Sequence, residues 1–314
     1  MFRELFVIPG LNWPVHSFGL MMVIGVLCAM ELGKRLANRR GLDGEAYSSA
    51  GIYALVAGVI GARLSHVLEN FGEYTLATRS VWENVKDAAN LSAGGMTYYG
   101  GFLLALPVLL GYWRVKRLPL RMCIDIAAPC LMVGLAFGRI GCFLNGCCYG
   151  QVCELPWAVK FPYGSMAYVD QFQQGRLAPP AGLVGMTEDG RLALESPERA
   201  LANPITRAAA EGSRSLPVHP AQLYSAAVAF LIAGFSASRL TLGKAAGTTF
   251  AVMLVMEGFA RVLLESLRVE PPVLGVMSFS MVLGLGIAGA GVLMWVVFGQ
   301  VGRGGETAAG AVAT

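Results

Sequence analysis

Residues 273–298 read VLGVMSFSMVLGLGIAGAGVLMWVVF and contain no Asp, Glu, Lys or Arg. About 20 mostly apolar residues make a helix long enough to cross the ~30 Å hydrocarbon core of a membrane. Six further stretches approach that length and character, near 17–33, 50–69, 96–113, 122–137, 220–237 and 247–265. The sequence therefore predicts an all-α integral membrane protein, a bundle of about seven transmembrane helices.

The overall composition agrees with a membrane protein. Hydrophobic residues make up 55% of the 314 residues and charged residues only 14%, whereas soluble domains carry about a quarter charged residues. The formal net charge is a modest +4, which gives no compositional support to nucleic-acid binding. We therefore expect no nucleic-acid partner.

Basic residues concentrate in three short loops, at 34–40, 114–121 and 239–244. The positive-inside rule makes these loops cytoplasmic, which places the N-terminus outside and the C-terminus in the cytoplasm. The predicted domains are therefore helices 1–4 within 1–137, a signature loop and extracytoplasmic head of irregular structure within 138–219, helices 5–7 within 220–298, and a disordered cytoplasmic tail at 299–314.

Ionisable residues inside the predicted spans are few and form a group. Glu257, Arg261, Glu265 and Arg268 are spaced by four, four and three positions, which puts all four on one helical face. Such groups usually line a polar cavity when they are kept at membrane depth. One interpretation is an internal ladder of ion pairs, and the other is an anion pocket, because arginine presents a planar fork that suits phosphate.

The most distinctive stretch is 138–150, GRIGCFLNGCCYG. Its four glycines predict tight backbone approach and a non-helical excursion at the membrane edge, lining a polar cavity. Backbone N–H groups beside Arg139 would form an anion cradle.

Four cysteines lie in or beside this stretch, at positions 142, 147, 148 and 153. Their spacing is not a standard zinc pattern. Structural disulfides on the oxidising side, unpaired packing thiols and a metal site all remain open.

The 138–150 stretch resembles the signature of bacterial prolipoprotein diacylglyceryl transferases, Gly-Arg-x-Gly-Asn-Phe-x-Asn-Gly-Glu-x-x-Gly. Further segments resemble family motifs in the same order along the chain. They are His16–Met21, Gly61–Arg63, Gly94–Gly101, His219–Tyr224 and the set Arg261, Glu265 and Arg268. The likeness covers about residues 14–298 and is weakest across 155–215.

The resemblance implies a multi-pass protein of the bacterial inner membrane that moves diacylglyceryl from phosphatidylglycerol to the lipobox cysteine thiol of a lipoprotein precursor, without a cofactor or metal. Its partners would be that lipid, the precursor's signal peptide and membrane lipid. Arg139 and Arg261 would stabilise the phosphate leaving group. The remaining expected substrate-binding residues are Gly138, Gly141, Asn145, Gly150, Arg63, Glu265, Arg268, His219 and Gly100.

Several positions depart from the family's pattern. Tyr99 stands in place of a His, Cys142 and Cys147 in place of Asn and Glu, Phe18 in place of one Tyr and Glu257 in place of another. If that His serves the chemistry, Tyr99 or Glu257 must replace it as the base. The departures also keep open a non-catalytic or altered-specificity relative that binds lipid or lipoprotein. A small transporter or channel would leave the ordered motif matches unexplained.

Overall fold

The computed structural model describes residues 4–8, 13–75, 80–90, 97–186, 190, 192–268, 272–274 and 277–312. The side chains of 4–8, 13–15, 98, 272, 274 and 301–312 are outside that description. The segment Gly94–Met96 of one family match also lies outside the described residues. The chain divides into two compact units: one comprises 1–29 and 128–314, and the other comprises 30–127.

The described residues form eleven α-helices and three two-stranded antiparallel sheets. The helices are α1 Ser17–Arg39, α2 Gly44–Glu69, α3 Val81–Ala89, α4 Tyr98–Val115, α5 Leu120–Asn145, α6 Met166–Gln173, α7 Pro197–Ala202, α8 Pro204–Gly212, α9 Ala221–Thr241, α10 Thr248–Glu265 and α11 Phe279–Val312. The sheets pair β1 Glu4–Ile8 with β2 Trp13–His16, β3 Val184–Met186 with β4 Leu192–Leu194, and β5 Pro272–Leu274 with β6 Met277–Ser278.

A helix occupies each of the seven predicted spans. Among the described residues, α1, α2, α5, α9 and α11 are long and apolar enough to cross a membrane. Helix α4 is apolar but shorter, and α10 has 18 residues, three of which are charged. The protein is therefore an α-helical, multi-pass membrane protein, and the count of seven spans is approximate.

In the 30–127 unit, α2 and α4 meet along glycines. A Cβ atom on Gly61 would lie 2.5 Å from the carbonyl oxygen of Gly100, and one on Gly101 would lie 3.0 Å from that of Gly58. Small residues allow this close approach, which replaces the hydrophobic driving force that lipid does not provide. Gly58 and Gly61 therefore allow α2 and α4 to approach each other closely.

In the other unit, α5, α9 and α10 share an apolar core. Its buried members are Ala128, Met132, Ile232, Ala233 and Met253. Helix α11 packs on α10 through further glycines, because a Cβ on Gly258 would lie 2.5 Å from the oxygen of Gly284. Gly291 makes a similar close approach, whereas Gly286 and Gly289 have open space around them.

Helix α5 corrects the prediction of a non-helical excursion beginning at Gly138. The helix continues to Asn145, and its glycines face α1: a Cβ on Gly141 would lie 3.0 Å from Phe18 Cδ2, and one on Gly138 would lie 3.6 Å from Met22 Sδ. The glycines permit helix packing here and do not break the helix. Irregular backbone begins only at Gly146, whose φ is +76°.

The head is more regular than the sequence predicts. It contains α6, α7 and α8, and the residue before each helix caps it by accepting a hydrogen bond from a backbone N–H in the first turn. These capping residues are Ser165, Ser196 and Asn203. Prolines at the first turns of α7 and α8 suit these starts, because a proline there sacrifices no helical hydrogen bond.

The segment predicted as a disordered tail begins at residue 299. In the structure α11 continues through most of that segment to Val312.

Candidate active site

A cavity of about 480 Å³, counted with its opening to solvent, lies between α5, α9 and α10. Its charged lining consists of Arg139 from α5 and the set Glu257, Arg261, Glu265 and Arg268 from α10 and the turn after it. Cys148 and Ser225 complete its polar lining, and Leu135, Val228 and Leu264 are among its apolar residues. The four residues that the sequence puts on one helical face therefore open into a single cavity together with Arg139.

Three arginines face two glutamates in this cavity, so its lining carries one excess positive charge. Glu265 is 5% exposed, and its Oε2 lies 3.3 Å from Nη1 of Arg268. Glu257 interacts electrostatically with Arg261 and Arg139. The Nε of Arg261 is buried, and within the described part of the chain it has no hydrogen-bond partner. This donor and the excess charge make the cavity suited to a monoanion that brings hydrogen-bond acceptors.

Three segments that are distant in the chain meet beside the cavity. The backbone N–H of Gly150 donates to His219 O at 3.0 Å, and that of Gln151 donates to Leu267 O at 2.8 Å. Gly150 and Arg268 form an antiparallel bridge. A Cβ on Gly150 would lie 2.7 Å from His219 Cβ and 2.8 Å from Leu267 O, so only glycine fits. This ladder holds the backbone of Arg268 in place.

Three of the four clustered cysteines converge. The Sγ atoms of Cys142, Cys147 and Cys148 all lie within 4.8 Å of one another, and the three residues are half-buried. The convergence follows from the turn after α5, where Gly146 and Cys148 have φ of 76° and 57°. All four cysteines are free thiols in the structure, which does not contain the disulfides considered from the sequence.

The thiols differ in character. Hydrogen bonds from Cys142 and Cys147 lower the pKa of the Cys148 thiol, and the positive charges of Arg268 and Arg139 lower it further. Desolvation opposes this shift. Because a thiolate is the reactive and metal-binding form of cysteine, Cys148 is the member of the group best suited to act as an anion.

The other predicted residues of this unit have varied positions. Gly138 and Gly141 serve the packing of α5 on α1. The side chain of Asn145 hydrogen-bonds to Cys147. His219 is half-buried, with its Nδ1 3.5 Å from the hydroxyl of Tyr224.

Three predicted site residues belong to the 30–127 unit. Arg63 is 6% exposed, and its Nε and Nη2 donate to the backbone oxygens of Ala88 and Asp87 at 2.8 and 2.7 Å. It thereby caps the end of α3. Tyr99 is 64% exposed in the first turn of α4, and Gly100 packs against Gly61 and Ser65 of α2. Their expected contribution to the site stays a prediction.

Sequence reasoning did not assign Ser225 and Gln222 to the site, and it considered Cys148 only as one of the four clustered cysteines. Cys148 and Ser225 line the cavity, while Gln222 is 1% exposed and donates from Nε2 to Cys147 O at 2.6 Å. Gln222 belongs to the His219–Tyr224 family match, and that was the available signal. No sequence feature marks Ser225 as a site residue, because single serines are common in apolar helices.

A second cavity, of about 610 Å³ with its opening, shares Cys148 and Arg268 with the first. Its other polar lining comes from the head, including Tyr149, Asp170, Gln171 and Arg176. The Tyr149 hydroxyl donates to Asp170 Oδ2 at 2.7 Å. Desolvation raises the pKa of Tyr149, as does this hydrogen bond, so the phenol stays protonated. Cys148 thus stands where a polar cavity meets the arginine-lined one.

A model of the prolipoprotein diacylglyceryl transferase family matches residues 4–297, nearly the whole chain. The chain belongs to this family. Membership makes it a membrane transferase, as the similarity of the 138–150 stretch to the family signature predicts.

Relatives named phosphatidylglycerol–prolipoprotein diacylglyceryl transferase support the family assignment. The protein of Corynebacterium efficiens is 27% identical over 304 residues, which cover 94% of this chain and 80% of that protein. The protein of Clostridium tetani is 23% identical over 85% of each chain. That of Rhodopirellula baltica is 32% identical over 189 residues, and the match spans 56% of this chain and only 38% of that protein's length.

Proposed function

We propose that the protein transfers the diacylglyceryl group of phosphatidylglycerol to the lipobox cysteine thiol of a lipoprotein precursor. The new S–C bond forms as the C–O bond to phosphate breaks, and glycerol phosphate leaves. The lipid, the precursor's signal peptide and surrounding membrane lipid are the partners. The carrying observation is the cavity in which Arg139, Arg261 and Arg268 outnumber two glutamates.

The cavity's charge matches this lipid. Phosphatidylglycerol carries one negative charge, and a second develops as the C–O bond breaks. Arg139 and Arg261 would stabilise that charge, and the Nε of Arg261 is a buried donor without a hydrogen-bond partner among the described residues. Preorganised donors of this kind stabilise developing charge without reorganising. Glu265 would keep Arg268 oriented through their 3.3 Å pair.

Substitution of the two arginines tests this proposal. In proteoliposomes that contain phosphatidylglycerol and a lipobox peptide, Arg139→Ala and Arg261→Ala should each lower the transfer rate by about 100- to 1000-fold. Arg199→Ala is the matched control, because Arg199 is an exposed arginine of α7. Transfer at the wild-type rate in both cavity variants would contradict the assigned roles.

A second candidate is a relative that binds lipid or lipoprotein without transfer. It is favoured by the departures at Tyr99, Cys142 and Cys147. Expression of this chain in cells depleted of their own transferase separates the two, because only the enzyme restores lipoprotein modification. Absence of rescue despite normal membrane expression would favour the binding relative.

We also propose that the chain resides in the bacterial inner membrane with its N-terminus outside and its C-terminus in the cytoplasm. The basic loops at 34–40, 114–121 and 239–244 support that orientation.

A further inference from the structure

The thiols of Cys142, Cys147 and Cys148 form the cluster of potential ligands that the proposed transfer leaves unused. The three Sγ atoms lie within 4.8 Å of one another. Three sulfurs on a tetrahedral zinc ion, each about 2.3 Å from it, are about 3.8 Å apart. A side-chain adjustment of about 1 Å therefore closes the cluster around an ion.

The number of ligands distinguishes two kinds of zinc site. Structural sites take four protein ligands, whereas catalytic sites take three and leave one position open. Within the described residues the cluster contains three potential ligands, and Cys153 is not one of them. A closed structural site would need a fourth, so the arrangement fits an open site.

The position of the thiol cluster between two cavities would let a substrate group reach the open coordination position of a bound ion. Cys148 lines both the arginine cavity and the polar cavity of the head. Asn145 and Gln222 hold Cys147 in place by hydrogen bonds to its side chain and to its backbone oxygen, respectively. Such outer hydrogen bonds fix the orientation of metal ligands.

We propose that Cys142, Cys147 and Cys148 bind a zinc ion whose fourth ligand is the lipobox cysteine thiol of the precursor. This inference rests on the proposed function and names the means by which the substrate thiol is activated. A thiol coordinated to a zinc ion gives up its proton. The ion would therefore make the substrate thiol acidic enough to lose its proton although the family's His is replaced by Tyr99.

The step is balanced without any redox change. The precursor thiol loses its proton to Glu257, which passes it to water, and binds the ion as a thiolate. That sulfur then forms a bond to the glycerol carbon of the lipid while the C–O bond to phosphate breaks. The electron pair of that bond leaves with glycerol phosphate, which departs as a dianion beside Arg139 and Arg261.

Metal content and sulfur coordination test the inference directly. The full chain, purified under reductant and loaded with Zn²⁺ before desalting, should retain about one zinc per chain. X-ray absorption should count three sulfurs around the ion. A fourth sulfur should appear when a lipobox peptide is added, and none when the peptide's cysteine is replaced by serine.

Cysteine variants supply the matched comparison. Cys142→Ser and Cys148→Ser should each lower the retained zinc at least tenfold, whereas Cys153→Ser should keep it. Loading with Co²⁺ gives a second measure in the folded protein, because thiolate ligands produce an intense charge-transfer absorption that the first two variants should lose. Equal zinc loss in Cys153→Ser would overturn the assignment, as would a wild-type chain that retains none.

Two further results would overturn the activation of the substrate thiol by zinc while leaving the proposed function intact. One is undiminished transfer by the metal-free wild-type protein. The other is a disulfide among the three cysteines, detected in the active protein as two fewer alkylated cysteines before reduction than after it. Absence of transfer in every sample, with three sulfurs found around bound zinc, would instead overturn the proposed function and retain the metal site.

Discussion

Gln222 joins the first turn of α9 to the turn that carries the cysteines. Its side-chain nitrogen donates to the backbone oxygen of Cys147 at 2.6 Å, and the residue is only 1% exposed. A buried carbonyl that loses its donor keeps the full cost of desolvation. The hydrogen bond therefore fixes the cysteine turn as well as contributing to stability.

Replacing this glutamine should loosen the turn. Gln222→Leu should lower the free energy of unfolding by about 1–3 kcal/mol and reduce the rate of diacylglyceryl transfer. Thermal unfolding in detergent and the proteoliposome assay measure these effects. Gln173→Leu is the control, because Gln173 is exposed and lines neither cavity. Equal stability losses in the two variants would show that the buried hydrogen bond has no special role.

Glu257 is the second carboxylate of the arginine cavity, and it interacts electrostatically with Arg261 and Arg139. If it accepts the thiol proton, Glu257→Gln should slow transfer by about 100- to 10,000-fold, because an amide cannot act as a base. The proteoliposome assay measures the rate, and Glu154→Gln in the head is a control. Unchanged transfer by the Glu257 variant means that the base is another group.

At the scale of elements, α10 positions the site because α11 supports it. Gly258 follows Glu257 directly, and its backbone lies against Gly284 and Ala288 of α11. Any side chain at this position must separate the two helices. The orientation of the cavity's glutamates and arginines therefore depends on a contact that contains no charged group.

Gly258→Leu tests this dependence. Overpacking typically costs about 1–3 kcal/mol, so we expect a lower unfolding temperature in detergent and a loss of transfer. Gly286→Leu is the matched control, because a Cβ there has nothing within 4 Å. The interpretation fails if both leucine variants unfold at the wild-type temperature.

The positions of the long helices could be predicted from the sequence, but the end of α5 could not. Length and apolar character located all seven long helices, since both are properties of a continuous stretch. The end of α5 was misplaced, because Gly138 and Gly141 suit a helix break and a close helix contact equally well. Only the presence of α1 opposite them decides between the two.

The candidate site was predictable where it depends on helical spacing. Glu257, Arg261, Glu265 and Arg268 repeat with the helical period, and the structure opens all four into one cavity. The thiol cluster was not predictable, because Cys142 joins the other two cysteines only through the left-handed turn at Gly146 and Cys148. Such a turn leaves no periodic pattern of residue types in the sequence.

For the whole molecule, the basic loops predict one orientation in the membrane. Alkaline phosphatase inserted after Gly175, in an exposed turn of the head, should be active, because it folds only outside the cytoplasm. The same reporter after Lys116 should be inactive, and a fluorescent protein fused after Thr314 should fluoresce. An inactive phosphatase after Gly175 together with an active one after Lys116 would contradict the proposed topology.

The ladder of Gly150, His219 and Leu267 also has a consequence for synthesis on the ribosome. Its third segment is translated more than a hundred residues after the first, which takes about 6–25 s at typical bacterial rates. During that interval Gly150 and Gln151 lack one of their partners. A nascent chain therefore cannot complete the arginine-lined cavity until α10 and the turn after it have been synthesised.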